Sequence, residues 1–370
     1  MTGSDGVVLR AYRDGDAPDV AAACADPLIQ RFLPHLPHPY TVDDALWWIR
    51  EGGPAIIAEG GTAYAIADPA TDRVVGGGGY GPIRRGKSEA GYWVAPWARR
   101  RGVATAAARA LTGEAFARGA ARLVLKTDLA NGASQRVAIA SGFTREGVER
   151  ASGERRDGTR YDQIVWARLA TDPEGPRPRL LPDLPGRGAG SPGELTDGVV
   201  TLRPLGPDDV DATYELRLLP DVIATSVPPR APTRDRIERL CIHAEASWLA
   251  GERAELAIRD AASGAYAGEI GLYYWEPPTQ QGMVGYSLAP MWRGRGYATR
   301  AVRLIVDWAL RDVGMVRVVA GTAPDNLGSQ RVLERAGFVR EGYQRARLPG
   351  PDGTRVDDIN YAVVATQPPG

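Results

Sequence analysis

Apolar residues near the start of the chain first alternate with polar ones and then recur at helical spacing. The alternation at residues 7–10 predicts a short strand, and the Ala-rich run at residues 17–25 predicts a helix that begins after acidic residues. Thr41 and Asp44 stand three positions apart, before an apolar run that includes Trp48. This spacing is typical of a capping box and predicts a second helix.

Alternating runs then dominate the pattern, separated by turns rich in Gly and Asp-Pro. They predict strands at residues 63–67, 73–80 and 89–95. A long helix over residues 102–118 follows, then a strand at 123–127, a helix capped by Asn131, and two last strands around an Asp-Gly turn. Strand, tight turn, helix and strand in succession predict a mixed α/β unit.

The second half of the chain repeats the first. EAGYWVAPWARRRGVAT at residues 89–105 aligns with MVGYSLAPMWRGRGYAT at 283–299, and NGASQRVAIASGFTREG at 131–147 aligns with NLGSQRVLERAGFVREG at 326–342. Because each unit is long enough to fold alone, the repeat predicts domain duplication. We predict an N-terminal domain at 1–170, a Pro/Gly-rich linker at 171–196 and a C-terminal domain at 197–370.

The composition of the chain argues against several classes of partner and cofactor. The chain has 370 residues, with 45 basic and 45 acidic side chains, so its net charge of zero argues against nucleic acid or an anionic membrane as a partner. Cys24 and Cys241 stand outside the repeated motifs and are expected in the core. The three histidines have no metal-ligand spacing, so no metal is expected. Without a long apolar run or a signal-like start, we expect a cytoplasmic protein.

The repeated pattern R-x-x-G-x-A lies where a strand gives way to a long helix. It occurs at residues 99–104 and again at 293–298. A glycine at such a turn lets the backbone approach a ligand, the first helical turn directs N–H groups at an anion, and arginines bind phosphate in a fork. The turn therefore predicts a pyrophosphate site in each half.

These motifs together resemble the GNAT superfamily of N-acetyltransferases, and within it the branch of the ribosomal-protein-alanine acetyltransferases. The resemblance rests on R-x-x-G-x-A after G-Y-x-[VL]-A-P, followed by N-x-x-S-x-R-V and G-F, and it spans both halves. It implies two tandem α/β domains, each with a mixed, mostly antiparallel seven-stranded sheet. It also implies that each sheet splays between its fourth and fifth strands, with acetyl-CoA as co-substrate in the opening.

The resemblance implies a set of cofactor-binding residues in each half, at the end of the fourth strand, in the turn with the helix that follows it, and at the later helix cap. In the first half they are Val94, Arg99, Arg101, Gly102, Ala104, Thr105 and Asn131. In the second half they are Leu288, Arg293, Arg295, Gly296, Ala298, Thr299 and Asn326. Asn131 and Asn326 are also explained as plain helix caps.

Candidate catalytic residues differ between the halves. Ser134 and Ser329 follow the capping asparagines by three positions and could protonate the departing thiolate, although a first-turn serine also occurs without catalysis. For the general base, Glu89 is the candidate in the first half, but its counterpart is Met283. Glu269 is the candidate in the second half, and its counterpart is Gly77. Either the copies use different bases, or one copy has lost the chemistry.

We therefore expect an acetyl-CoA-dependent N-acetyltransferase that acts on a primary amine of a small molecule or a peptide N-terminus. The alternative is that one copy, or both, is a non-catalytic module that binds acetyl-CoA or forms an interaction surface. The two domains of one chain are expected to form an intramolecular pseudo-dimer that works as a monomer.

Overall fold

The chain divides into two compact domains, called domain 1 (Met1–Pro178) and domain 2 (Arg179–Gly370). The computed structural model describes residues 6–188 and 191–365. The division falls inside the segment 171–196 that the sequence predicts as a linker. None of the described helices is both long and apolar enough to cross a membrane.

Domain 1 contains a seven-stranded sheet in the order β1-β2-β3-β4-β5-β7-β6. The strands are β1 (Val8–Arg10), β2 (Tyr64–Ala67), β3 (Val74–Tyr80), β4 (Lys87–Val94), β5 (Arg122–Asp128), β6 (Thr144–Glu154) and β7 (Arg160–Leu169). Neighbours are antiparallel except β4 and β5, which are parallel. The predicted strands of the first half are thus confirmed, with shifts of a few residues at their ends.

Helices flank this sheet, and their starts follow the local sequence. They are α1 (Ala17–Cys24), α2 (Pro27–Phe32), α3 (Val42–Trp47), α4 (Gly53–Ala58), α5 (Val103–Ala117) and α6 (Gly132–Ala140). The predicted capping box before α3 is present, because the Thr41 hydroxyl accepts from Asp44 N and the Asp44 carboxylate accepts from Thr41 N. A wider π-helical stretch, Trp48–Gly52, joins α3 to α4.

Domain 2 repeats this order with an eighth strand, in the order β14-β15-β13-β12-β11-β10-β9-β8. Its strands are β8 (Leu195–Thr196), β9 (Val200–Pro204), β10 (Arg253–Asp260), β11 (Tyr266–Glu276), β12 (Gln281–Leu288), β13 (Arg317–Thr322), β14 (Val339–Pro349) and β15 (Arg355–Val364). Its helices are α7 (Val210–Arg217), α8 (Pro220–Thr225), α9 (Arg234–Leu249), α10 (Tyr297–Arg311) and α11 (Leu327–Arg335).

The extra strand β8 pairs with β9 through Leu195 and Thr196, so the prediction of seven strands was one short in domain 2. A two-residue strand carries no period that a sequence pattern could reveal. The chain just before it also packs on this domain: Leu181 and Leu184 are buried in its core, and Trp248 Nε1 donates to the Pro182 carbonyl at 2.9 Å. Each buried leucine contributes about 1.5–3 kcal/mol to folding.

Both sheets splay open at the predicted place. In domain 1, β4 and β5 pair over three residues, from Lys87–Arg122 to Glu89–Val124. In domain 2, β12 and β13 pair in the same way, from Gln281–Arg317 to Met283–Val319. Beyond these pairs the described strands diverge. Each domain therefore has a wedge-shaped opening in the middle of its sheet, which we call the cleft.

Candidate cofactor and acceptor site

The two R-x-x-G-x-A turns share one backbone conformation. Gly102 and Gly296 stand directly before α5 and α10 with φ of 78° and 81°, in the left-handed region. Two positions earlier the backbone is again left-handed, at Arg100 with φ of 62° and at Gly294 with φ of 72°. Space around the Cβ positions of Gly102 and Gly296 is open, so glycine is required there for its conformation. The first N–H groups of each helix have no acceptor within the helix, so they can bind a ligand.

The first arginine of each turn is fixed by a carboxylate. Arg99 pairs with Asp26, the capping residue of α2, and Arg293 pairs with Asp221 of α8 at 2.5 Å. Arg101 lies 3.2 Å from Asp68. Aspartate contacts therefore orient both predicted phosphate-binding arginines of the domain 1 turn, and Arg293 in the domain 2 turn, in advance.

A cavity of about 610 Å³ lies beside the turn of domain 2. This volume is within the usual range for ligand sites of about 300–1,000 Å³. Residues that the sequence predicted contribute much of its lining: Leu288, Arg293, Gly296, Ala298, Thr299, Asn326 and Ser329. Arg295 is absent from that lining, and its guanidinium lies 5.7 Å from the centre of the Trp292 ring.

Two cavity-lining arginines were missed as site residues. Arg331 and Arg335 lie on α11, one helical turn apart, and line the cavity together with Arg293. Arg331 is the arginine of the repeated N-x-x-S-x-R-V motif, whereas the counterpart of Arg335 in the repeat is Ala140. The lining of the cavity thus includes three arginines and a helix start, which are groups that suit a bound anion.

The capping asparagines and the following serines are arranged alike in both domains. Asn131 Oδ1 accepts from Ser134 N at 3.1 Å, and Asn326 Oδ1 accepts from Ser329 N at 3.0 Å, so their capping role is confirmed. Each serine hydroxyl also contacts a tyrosine, which lies on β4 in domain 1 and on β12 in domain 2. Tyr92 Oη lies 3.0 Å from Ser134 Oγ, and Tyr286 Oη lies 2.9 Å from Ser329 Oγ.

The tyrosines are functional candidates that the sequence analysis missed, although both stand in the repeated G-Y pair. Burial raises the pKa of Tyr92 to about 12 and that of Tyr286 to about 12. Both phenols therefore keep their protons at neutral pH. A protonated phenol and a hydroxyl in contact can pass a proton to a group bound in the cavity.

Glu89 lies on an exposed part of domain 1. Its side chain is 57% exposed and lies 3.6 Å from Lys126 Nζ. Glu89 is the last residue of β4 that pairs with β5, and its partner there is Val124. Lys126 lies two residues further along β5. Lys126 also lies 3.1 Å from Glu149. This ion pair, called the Lys126–Glu89 bridge, links the two strands where they begin to diverge.

Glu269 is buried at the centre of the domain 2 sheet, with 8% exposure. Arg217, the last residue of α7, donates from Nε to both of its carboxylate oxygens at 2.8 and 3.0 Å. Glu269 pairs across the strands with Ser287, which lines the cavity. The carboxylate therefore lies one strand away from the cavity, on the face that carries α7.

Glu255 forms a second buried carboxyl next to this ion pair, with 3% exposure. Arg253 Nη1 lies 3.3 Å from Glu255 Oε1. Burial raises the pKa of Glu255, and the charge of Glu269 raises it further. We call Arg217, Glu255 and Glu269 the ionic cluster of domain 2.

Domain 1 has different residues at the matching positions. Gly77 pairs with Ala65 and Trp93 in the register that Glu269 adopts with Ala257 and Ser287. A Cβ on Gly77 would lie 2.2 Å from Tyr12 Oη and 2.5 Å from Trp93 Nε1, so these two side chains cover the glycine. Cys24 ends α1 as Arg217 ends α7. An aromatic cover thus replaces the ionic cluster in domain 1.

Glu255→Gln is expected to raise the melting temperature by about 2–4 °C at pH 7 and to change it little at pH 4. A carboxyl whose pKa is raised in the folded state binds an extra proton there, so its ionisation destabilises the fold as pH rises from the unfolded pKa of about 4.3 through the folded one. Below both pKa values that cost vanishes.

Thermal unfolding of wild type and variant at both pH values measures this difference. Glu89→Gln is the control, because its exposed carboxylate should give no comparable gain. A Glu255→Gln variant that is less stable than wild type at pH 7, yet equal to it at pH 4, would contradict the expectation.

Comparisons with known proteins agree with the architecture. The family described as acetyltransferase (GNAT) domain matches residues 7–144 and again residues 200–339.

Among the described residues, no three His, Cys, Asp or Glu side chains are grouped to hold a metal ion.

Individual relatives match shorter stretches. The probable N-acetyltransferase YjcK of Bacillus subtilis is 48% identical over 69 residues, which are 19% of this chain and 38% of the relative. The putative ribosomal N-acetyltransferase YdaF of the same organism is 30% identical over 101 residues, 27% of this chain and 52% of the relative. The chain thus spans about half or less of the length of these relatives.

A solved structure, that of the ribosomal-protein-S5-alanine acetyltransferase from Vibrio fischeri, is 21% identical, with a TM-score of 0.44. The match covers 48% of this chain and 99% of that one.

Proposed function

This chain belongs to the GNAT acetyltransferase family in both of its halves, and we propose that domain 2 transfers acetyl from acetyl-CoA to a primary amine of a small molecule or a peptide N-terminus. The observation that carries the proposal is the cavity of domain 2. It joins the positively charged turn and helix start to the Tyr286–Ser329 hydroxyl pair, and Glu269 lies one strand away.

The cofactor fits the groups that line this cavity. The N–H groups at the start of α10, with Arg293, Arg331 and Arg335, suit the phosphates of acetyl-CoA. Leu288 ends β12 at the cleft, where its carbonyl accepts from Arg293 Nε at 2.9 Å and its backbone would lie beside an extended amide-bearing arm. Domain 1 offers the same turn through Gly102, Ala104 and Thr105, with Val94 at the end of β4.

The chemistry needs a neutral amine and a proton for the departing thiolate. Bound acetyl-CoA supplies the activated acetyl group. Glu269 accepts a proton from the incoming ammonium, directly or through water, and the neutral nitrogen then forms the new C–N bond as the C–S bond breaks. Ser329, in contact with Tyr286, donates a proton to the sulfur and is reprotonated by the second proton that the nitrogen loses as the amide forms. Arg217 holds the Glu269 carboxylate in place throughout.

Domain 1 has a second candidate function, as a module that binds acetyl-CoA without transferring the acetyl group. Its turn keeps the conformation of the domain 2 turn, but Tyr12 and Trp93 cover the position of Glu269, and Lys126 engages Glu89. A role for Glu89 as a base would require this bridge to open.

We also propose that the protein acts in the cytoplasm as a monomer. Both cysteines are buried free thiols, which suits a reducing cytoplasm. We expect the two domains of one chain to take the place of the two subunits of a dimer, so that the protein functions as a monomer.

Calorimetry with acetyl-CoA and an assay of free-thiol release over a panel of amines test the proposed function together. We expect binding with a stoichiometry near two and thiol release that depends on the amine. If acetyl-CoA does not bind at all, the proposal fails. If it binds but no amine is acetylated, the non-catalytic module becomes the better description of both domains.

A further inference from the structure

The turn between β6 and β7 carries an arginine that joins two separate parts of domain 1. Arg155 Nη1 donates to the Arg31 carbonyl in α2 at 3.1 Å, and Arg155 Nη2 pairs with Asp128, the last residue of β5. Asp128 is buried, and the guanidinium lies over the Tyr161 ring, 3.8 Å from its centre. Because hydrogen bonds between charged groups are stronger than neutral ones, Arg155 holds α2 firmly to the end of β5.

Arg156 adds two bonds to the same part of the chain. Its Nη2 donates to Gln30 Oε1 at 2.6 Å and to the Leu36 carbonyl at 2.8 Å. Gln30 belongs to α2 and is itself buried. The bonds of Arg155 and Arg156 to α2, Leu36 and Asp128 are called the clasp of domain 1.

The clasp holds α2 across the open end of the cleft. Strands β4 and β5 run parallel and pair only near their starts, so the cleft opens toward their carboxyl ends. Asp26, at the start of α2, pairs with Arg99 in the turn that follows β4. The clasp ties the end of α2 to Asp128 at the end of β5. Helix α2 is thus fastened on both sides of the opening.

Helices α2 and α5 lie on opposite faces of the sheet. A Cβ on Gly78 would lie 3.1 Å from the Leu111 side chain of α5, so α5 packs on the face of Gly78. The preceding residue, Gly77, points to the other face, where Trp93 covers it. Ile29 of α2 packs in one apolar cluster with Trp93. The clasp therefore covers the face opposite α5, which in domain 2 is the face of the proposed base.

Domain 2 has no side chains that could form these bonds. Gly350 and Pro351 stand at the positions of the two clasp arginines, directly before the repeated Asp-Gly-Thr-Arg. Ala323, which follows the last residue of β13, stands at the position of Asp128. Among the described residues, the hydrogen bonds of this turn stay within residues 350–354. The clasp is thus a property of domain 1.

The cavity of domain 2 reaches the helix that corresponds to α2. Val222, Ala224 and Thr225 of α8 line it, together with Arg293 of the turn and Ser329 of α11. The same space of about 610 Å³ therefore extends from the groups proposed to bind acetyl-CoA to the acceptor side of the domain.

We propose that the clasp excludes a peptide acceptor from domain 1, so that a peptide N-terminus reaches acetyl-CoA only in domain 2. This inference rests on the proposed function, in which both domains bind acetyl-CoA and domain 2 transfers the acetyl group. A peptide whose amine lies at the thioester must lead the rest of its chain away from the co-substrate. In domain 1 that path meets α2 and the clasp, whereas a small amine has no chain to lead out.

Calorimetry with two CoA conjugates tests this inference without turnover. In both, the CoA sulfur carries a CH2–CO group that forms an amide, in one with methylamine and in the other with the N-terminus of a short peptide. We expect wild type to bind the methylamide conjugate with a stoichiometry near two and the peptide conjugate with a stoichiometry near one. Arg155→Gly/Arg156→Pro gives domain 1 the turn residues of domain 2 and should raise the second value to two.

Two further variants assign the change to the clasp. Gly296→Glu should not bind the peptide conjugate, and adding Arg155→Gly/Arg156→Pro should restore one site, which places the new site in domain 1. Arg160→Met is the matched control, because it breaks the exposed pair of Arg160 with Glu154 on the same hairpin and leaves the clasp intact. It should keep both stoichiometries of wild type.

The outcomes keep this inference apart from the proposed function. A peptide-conjugate stoichiometry of two or zero in wild type, or of one in the double variant while CoA still binds at two, overturns the inference and leaves acetyl transfer standing. If the double variant loses CoA binding, Arg156→Met replaces it under the same expectation, since it breaks only the bonds to Gln30 and Leu36. If wild type binds neither CoA nor a conjugate, the inference and the proposed function both fail.

Discussion

Gly296→Glu is expected to abolish acetyl-CoA binding by domain 2 and, with it, amine-dependent thiol release. Two effects act together. Gly296 is left-handed with φ of 81°, which costs a residue with a Cβ about 1–2 kcal/mol. The new carboxylate would also stand at the start of α10, where the helix N–H groups and Arg293 would otherwise meet phosphate. We expect the affinity to fall by more than 100-fold.

Calorimetry measures the result as a fall in stoichiometry from two to one. Gly296→Ala separates the two effects, since it has the conformational cost without the charge and should weaken binding far less. Gly102→Glu is the matched change in domain 1, where φ is 78°. It should also remove one binding site but leave thiol release intact. Lost thiol release in Gly102→Glu, with activity kept in Gly296→Glu, would place catalysis in the other domain.

Glu269→Gln is expected to lower kcat by about 10²- to 10⁴-fold, the usual contribution of a general base. The amide keeps the shape of the side chain and can still accept from Arg217 Nε, so the fold and the affinity for acetyl-CoA should be preserved. The change removes the group that takes the proton from the ammonium. Single-turnover thiol release at saturating acetyl-CoA measures the effect on chemistry.

Glu89→Gln is the comparison for this variant, because Glu89 is the candidate base of domain 1. Its exposed carboxylate pairs with Lys126 outside the ionic cluster, and we expect kcat to remain within twofold of wild type. A full rate in Glu269→Gln combined with a large loss in Glu89→Gln would move the base to domain 1.

The turns could be predicted from the sequence because local rules determine them. A glycine before a helix, arginines and a preceding strand stand next to each other in the chain, and the repeat shows the same combination twice. The capping asparagines follow the same logic. Helix α2 was missed because Pro27–Phe32 is too short to show a period, although Asp26 caps it and Pro27 occupies its first position.

The acceptor side could not be predicted because its contacts are long-range. Arg217 meets Glu269 52 positions away, and its counterpart in the repeat is a cysteine, so comparison of the copies gave no signal. Arg155 meets Asp128 only through the register of β5, β6 and β7. Register is set by packing across the sheet, which single-strand patterns do not contain.

The cleft gives each sheet two inner edges. Where β12 and β13 diverge, backbone donors and acceptors that a continuous sheet would pair face an open wedge, so each sheet consists of two half-sheets joined by three residue pairs. An extended ligand that hydrogen-bonds to these edges would act as a missing strand. Its binding energy would add to the stability of the fold by linkage, and amide hydrogens along the wedge would exchange more slowly when it is bound. The co-substrate would thus be part of the fold while it is bound, and a new molecule would have to take that place in every turnover.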